Sequence, residues 1–94
     1  MSTEVMSNYR KARIGILEEF KKAGKRGLSP HEIYSLMEER GITDERITQR
    51  AINDWYNEGF IEYREVPEEF QPKPIDPLNP VYNMYCSQFF DERD

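Results

Sequence analysis

The chain has a single cysteine, Cys86, and a single histidine, His31, among its 94 residues. One cysteine excludes an intramolecular disulfide, and the two residues together cannot supply the four ligands of a structural zinc site. The two residues are also poor candidates for a catalytic cysteine activated by a histidine. His31 is expected in the first turn of a helix, and Cys86 is expected to be half-buried in a strand. No phosphate-binding glycine loop occurs either, so we expect no cofactor, no metal and no enzymatic activity.

Long apolar runs are also missing. No segment approaches the roughly 20 residues that span a bilayer, and the first residues lack the apolar core of a signal peptide. We therefore expect no membrane association and a cytoplasmic location. Hydrophobic residues make up 37% of the chain, enough for one modest core. We expect a single domain over residues 1–94.

The excess of negative charge is confined to one end of the chain. The net charge is −5, which counts against nucleic-acid binding. Residues 1–64, however, contain 11 basic and 11 acidic residues, whereas residues 65–94 contain two basic and seven acidic residues. The first two thirds of the chain are therefore electrically balanced.

Apolar spacing and capping residues predict the first two helices. Helix one covers about residues 7–23, where apolar residues recur every three or four positions. Helix two covers about residues 30–40. Ser29 and Glu32 form a capping box at its start, and Gly41 supplies the left-handed stop at its end.

Helix three is predicted over about residues 44–58, with Thr43 as its cap and Gly59 as its end. Two helices joined by a short glycine-containing turn form a helix-turn-helix arrangement. At about 100° per residue, the apolar side chains of helix three share one arc. The opposite arc carries four polar side chains, here called the polar row: Arg46, Gln49, Arg50 and Asn53.

The polar row contains the side chain types that read bases in the major groove of DNA. Arginine pairs with guanine, and glutamine or asparagine pairs with adenine. Arg46 opposes the helix dipole, and Arg46 with Arg50 forms a like-charge pair four residues apart. A sequence that accepts such small penalties often does so for function. An ordinary solvated helix face is the alternative interpretation.

The rest of the chain predicts a long β-hairpin. Strand formers occupy about residues 60–66 and 81–86. Between them lies a segment, residues 67–80, that holds five of the six prolines and is expected to have no regular structure. We call it the proline-rich loop. Residues 87–94 form a short acidic tail.

This order of elements resembles the winged helix-turn-helix superfamily over about residues 8–86. The residues that carry the resemblance are Leu-Ser-Pro-His-Glu-Ile at 28–33, Asn-Glu-Gly-Phe-Ile at 57–61 and Val-Tyr-Asn-Met-Tyr at 81–85. The implied fold class is mainly α with a β-hairpin (α+β), three helices followed by a two-stranded wing. Small stand-alone members are familiar as regulators in viruses, phages, plasmids and archaea.

The resemblance also implies a function, sequence-specific binding of double-stranded DNA for transcription regulation by a homodimer. Its two recognition helices would enter successive major grooves about 34 Å apart. The implied base-reading residues are Arg46, Gln49, Arg50 and Asn53. The implied phosphate contacts are Lys25, Arg26, Ser29 and His31. In many relatives a basic wing tip enters the minor groove, whereas this loop carries Glu68, Glu69 and Asp76 against Lys73.

Two other functions remain open at this stage. The acidic proline-rich loop, residues 67–80, could lie extended as polyproline II on a protein partner, or mimic a nucleic acid in an adaptor protein. It could equally be a disordered connector. An RNA-stacking surface formed by the strand aromatics is the weaker candidate, because two strands make a poor platform.

Three apolar residues have no certain place in this scheme. Ile14 falls outside the apolar stripe of helix one, and Phe89 and Phe90 lie in the acidic tail. They form either a dimer contact or a contact within the same chain.

Overall fold

The computed structural model describes residues 3–90, with side chains from Met6 onward. The last four residues of the predicted acidic tail lie outside this range. The elements are α1 (Thr3–Ala23), α2 (Pro30–Glu39), α3 (Glu45–Asn57), β1 (Ile61–Glu65) and β2 (Tyr82–Cys86). Two single-turn 3-10 helices occur at Gly24–Arg26 and Glu68–Phe70. The described chain is thus a mixed α+β fold of three α-helices and an antiparallel hairpin.

The predicted helices and strands are present, with differences at their ends. Helix α1 begins at Thr3, earlier than predicted. The cap of α3 is Asp44, so the prediction of Thr43 was wrong. Asp44 has an extended backbone, and its Oδ1 accepts a hydrogen bond of 3.0 Å from the backbone N–H of Arg46. That carboxylate satisfies an N–H that has no partner within the helix.

The capping box at the start of α2 is confirmed. Ser29 Oγ accepts from the Glu32 backbone N–H at 3.2 Å, and Glu32 Oε1 accepts from the Ser29 backbone N–H at 3.3 Å. Pro30 is the first helical residue, and Gly41 follows the helix with a φ of 90°. The direction in which α2 enters the fold is therefore set by local chemistry.

One hydrophobic core joins the three helices to the hairpin. Trp55 and Tyr9 pack against its edge and are only partly buried. Cys86, expected to be half-buried, is fully buried, because its position in β2 faces the helices. The core residues are Ala12, Ile16, Phe20, Leu28, Ile33, Met37, Ile42, Ala51, Ile52, Ile61, Met84 and Cys86.

Strand β2 lies between β1 and a short extended segment at Leu28. In the hairpin, Ile61 is opposite Cys86 and Glu65 is opposite Tyr82. On the other side of β2, Leu28 and Met84 exchange two backbone hydrogen bonds of 3.0 and 2.8 Å. This bridge could not be predicted from the sequence, because a single extended residue has no periodicity. It fixes the hairpin to the chain between α1 and α2.

The proline-rich loop contains more structure than expected. It forms one 3-10 turn at Glu68–Phe70 and a second turn at Asp76, whose Oδ1 accepts from the Leu78 backbone N–H at 2.9 Å. Gln71 Nε2 donates to the Val66 carbonyl at 2.7 Å. In the chain by itself these turns interrupt an extended conformation of residues 67–80, and the polyproline II conformation considered for a partner complex stays a prediction.

The three unplaced apolar residues divide into two groups. Phe89 packs against the core, and the Phe90 ring lies 4.5 Å from that of Tyr85. Both therefore contact their own chain. Ile14, in contrast, is 62% exposed.

None of the helices within residues 3–90 has both the length and the apolar character that a membrane crossing needs.

Candidate nucleic-acid interface

Helix α3 has one buried and one open side. Thr48, Ala51 and Ile52 face the core. All four members of the polar row are exposed, and neither the hairpin nor the proline-rich loop covers them. A rigid helix therefore presents two arginines and two amides side by side to solvent.

Arg46 lies at the start of the polar row, where the cap of α3 holds it. Its Nε and Nη2 donate to the two carboxylate oxygens of Asp44 at 3.2 and 3.3 Å. The side-chain hydrogen bond from Arg46, followed by the backbone one, lowers the pKa of Asp44 below its usual range. The Arg46 side chain still has 90% of its surface exposed. Asp44 thus orients the guanidinium without burying it.

Arg50 lies at the edge of the polar row that faces α1. Its Cζ is 5.5 Å from the centroid of the Tyr9 ring, within the range of a cation–π contact. The Tyr9 hydroxyl donates to the carboxylate of Asp54, one turn after Arg50 on α3. Tyr9 therefore contacts α3 through both its ring and its hydroxyl, and its ring limits where Arg50 can lie.

A polar seam between α1 and α3 fixes the rotation of α3 about its own axis. Arg13 Nη2 pairs with Glu58 at 2.5 Å, and Arg13 Nη1 donates to the Tyr9 hydroxyl at 3.1 Å. Trp55 Nε1 donates to the Arg13 carbonyl at 3.0 Å, and the Arg13 guanidinium lies 3.9 Å from the Trp55 ring centroid. Burial lowers the pKa of Arg13, but the hydrogen bonds to Tyr9 and Glu58 and the charges of the same two groups together raise the pKa overall.

Aromatic side chains border the other edge of α3. The Tyr56 and Tyr63 rings are 6.4 Å apart, and both residues are about half exposed. Burial, then the charge of Glu45 and the nearby Tyr63, raise the pKa of Tyr34. Tyr34, from α2, therefore lies beside the start of α3 and the hairpin. The polar row lies between these aromatic side chains and the polar seam that joins α1 to α3.

The sequence analysis missed one member of this face. Asn57 is exposed and follows Asn53 by four residues, which places it about 40° further around the helix, still within the arc of the polar row. The helical projection could have found it, but the uncertain end of α3 left it out.

The predicted phosphate contacts gather around the start of α2. Lys25 and Arg26 lie in the 3-10 turn before it, and His31 is exposed in its first turn. Arg26 Nη1 pairs with Glu32 at 3.2 Å, and the Ser29 hydroxyl also donates to Glu32 at 3.2 Å. Two of the four predicted residues are thus engaged with one carboxylate. Within residues 6–90, no hydrogen bond links this group to the polar row.

The charge near the hairpin differs from that of α3. Glu68, Glu69, Lys73 and Asp76 are all exposed in the proline-rich loop.

No cluster of three or more potential metal ligands is found in the described part of the chain. No family model, curated protein or solved structure gives a significant match to this sequence.

Proposed function

We propose that this protein binds double-stranded DNA sequence-specifically, with α3 in the major groove, and regulates transcription. The observation that carries the proposal is the exposed polar row on a helix whose opposite side is buried. A helix of 13 residues is about 20 Å long and fits a groove about 12 Å wide. The proposed role is non-enzymatic.

Each member of the polar row has a proposed partner. Arg46 and Arg50 donate to guanine, and Gln49 and Asn53 pair with adenine. The α1 seam supports this assignment, because a reading helix has to be held rigidly for its side chains to discriminate bases. Asp44 and Tyr9 contribute by restricting the two arginines.

The same arrangement supports only a few phosphate contacts. Lys25 and His31 are the best placed of the predicted four, since Arg26 and Ser29 are engaged with Glu32. A binder with few phosphate contacts has affinity that depends weakly on salt. We expect a shallow salt dependence and affinity that comes mainly from base contacts.

The order of helices and hairpin is compatible with a winged helix-turn-helix, and we extend the proposal to that class. One recognition helix covers only a few base pairs. Two copies on half-sites about 34 Å apart would make a site long enough for regulation.

The experiment is selection of a preferred sequence from a random duplex pool, followed by titration of variants on that sequence. Arg50→Ala should weaken binding by about 1–3 kcal/mol and relax the preference at one position. Lys25→Ala should weaken binding equally on all sequences and reduce the salt slope by about 1. Absence of any shift with duplex DNA at low salt would rule the proposal out.

A second candidate function is that of a protein-interaction adaptor, and the exposed apolar side chains of the proline-rich loop favour it. Leu78 is 88% exposed, and Phe70 and Ile75 are also exposed on this acidic segment. Exposed apolar groups bordered by charge are typical of partner sites. If replacing residues 68–78 by a short glycine linker removes a basic protein partner and leaves DNA binding intact, the loop serves protein recognition.

A further inference from the structure

Helix α1 carries an exposed aliphatic side chain on the face turned away from the core. Ile14 is 62% exposed, whereas Ala12 and Ile16 beside it are fully buried. On the same side of α1, Arg10 and Lys11 lie one turn before Ile14 and Glu18 lies one turn after it, and all three are exposed. A shallow depression is lined by Lys11, Ile14, Glu18 and Arg40.

Arg40, the one residue lining this depression that does not belong to α1, is held in place by contacts with α1. The Arg40 stem crosses α1 at Gly15, where an added Cβ would lie 3.1 Å from the Arg40 Cδ. Its guanidinium then pairs with Glu18 at 3.4 Å and with Glu19 at 3.7 Å. Arg40 is thus held beside Ile14 rather than over it, and Ile14 stays open to solvent.

The charges beside Ile14 are complementary to a second copy of the same face. When two α1 helices pack antiparallel about a two-fold axis at Ile14, the residue one turn before it lies opposite the residue one turn after it in the other copy. Lys11, with Arg10 beside it, then meets Glu18 of the second copy, a carboxylate that also pairs with Arg40 of its own chain, and the reverse pair forms as well. In a parallel pair, Lys11 would meet Lys11 and Glu18 would meet Glu18, which is repulsive.

We propose that this face of α1 is a homodimer interface in which the two helices pack antiparallel with Ile14 at the centre. The inference deepens the proposed function, since it supplies the second copy that a two-site regulator needs, but the dimer forms without DNA. The apolar contact consists mainly of one isoleucine per copy. We therefore expect a weak dimer, with a Kd of about 10 µM to 1 mM.

The first test is sedimentation equilibrium of the full chain without DNA, at low salt. Ile14→Arg should raise the dimer Kd by at least about tenfold, because it removes the central contact and adds like charge. Leu78→Arg, which changes an even more exposed aliphatic residue in the proline-rich loop, should leave the Kd unchanged. A wild-type chain that stays monomeric up to about 1 mM, or equal effects of the two substitutions, overturns the proposal.

The second test exchanges charges. Lys11→Glu and Glu18→Lys should each weaken self-association several-fold, because each places like charges opposite one another. Mixing these two variants should yield a heterodimer tighter than either homodimer. A mixture that associates no better than its components contradicts the antiparallel arrangement. DNA binding measured on the same variants separates the two proposals, since loss of the dimer leaves base preference within one half-site unchanged.

Discussion

The helices and the proline-rich loop differ in what holds them. Each helix buries a face in the common core, and α3 is further fixed by the hydrogen bonds and ion pair of Arg13. In the loop, all residues from 72 to 80 are exposed, and local hydrogen bonds at Gln71 and Asp76 are its main restraints. The polar row therefore lies on the rigid part of the molecule, and the acidic charge lies on the weakly restrained part.

The difference in rigidity between the helices and the loop suits the proposed sequence-specific binding of DNA. A base-reading helix discriminates only when its side chains are held within a fraction of an ångström. In the proposed DNA complex, the acidic loop would repel phosphates and so favour orientations in which α3, rather than the hairpin, approaches the duplex. The hairpin that carries the loop meets the helical part where Gly27, between α1 and α2, approaches Tyr85 of β2, and we expect this contact to be the most sensitive point of the fold.

Gly27→Ala should cause the largest loss of stability. Gly27 has a φ of 67° and a ψ of −173°, a combination that essentially only glycine adopts. An added Cβ would also lie 2.6 Å from the Tyr85 ring and 2.9 Å from the Met84 carbonyl oxygen. We expect a loss of about 3 kcal/mol or more in the free energy of unfolding, measured by urea denaturation.

Gly24→Ala is the matched control for Gly27→Ala. Gly24 also has a positive φ, of 55°, but nothing lies within 4 Å of its added Cβ. Only the backbone penalty of about 1 kcal/mol should remain. Equal losses in the two variants would contradict this expectation, since they would show that neither the backbone conformation of Gly27 nor the close approach of Tyr85 adds to the cost.

The same contrast explains what the sequence could predict of the fold. The helices are encoded locally, by apolar spacing and by caps such as Ser29 with Glu32, so their positions followed from the pattern. The Leu28 bridge and the turn at Asp76 each depend on a few isolated hydrogen bonds, which produce no periodicity. The cap of α3 is Asp44 rather than Thr43, and the sequence did not decide between these neighbours because both residue types cap helices.

For the candidate site, the sequence predicted a face but not its support. The polar row follows from spacing alone, and its members are exposed together as expected. The seam could not be derived, because it joins Tyr9 and Arg13 to residues more than 40 positions away on α3. Tyrosine and tryptophan at the border of an apolar stripe were the available signal, since a partly buried ring usually finds a partner for its polar group.

Ser29→Ala should have the next largest effect and acts only on the helical part. It removes the hydroxyl that accepts from the Glu32 backbone N–H, so the free energy of unfolding should fall by about 1 kcal/mol. Ser35→Ala, at an exposed position within α2, should change stability by less than about 0.5 kcal/mol. If both variants unfold at the same urea concentration, the capping box is not what positions α2.

Removing acid from the loop should have a smaller effect, on DNA binding rather than on stability. Replacing Glu68 and Glu69 with glutamine should tighten binding about two- to fivefold at low salt, because two exposed charges no longer repel the phosphates. The gain should disappear at high salt. The control is the same change at Glu38 and Glu39, which are exposed on α2, and it should leave the affinity for DNA unchanged. A loss of DNA binding in the loop variant would instead assign the loop to the DNA contact.

The smallest expected effect concerns the pH dependence of stability at the α3 cap. Because the folded pKa of Asp44 is lowered, its contribution to stability is present at neutral pH and is lost as the pH falls through that lowered pKa. Asp44→Asn keeps a capping side chain but cannot titrate or pair with Arg46. The difference in unfolding free energy between wild type and variant should therefore shrink toward acidic pH. A difference that is constant from neutral pH to strongly acidic pH would mean that the carboxylate charge does not contribute to holding Arg46 at the start of the polar row.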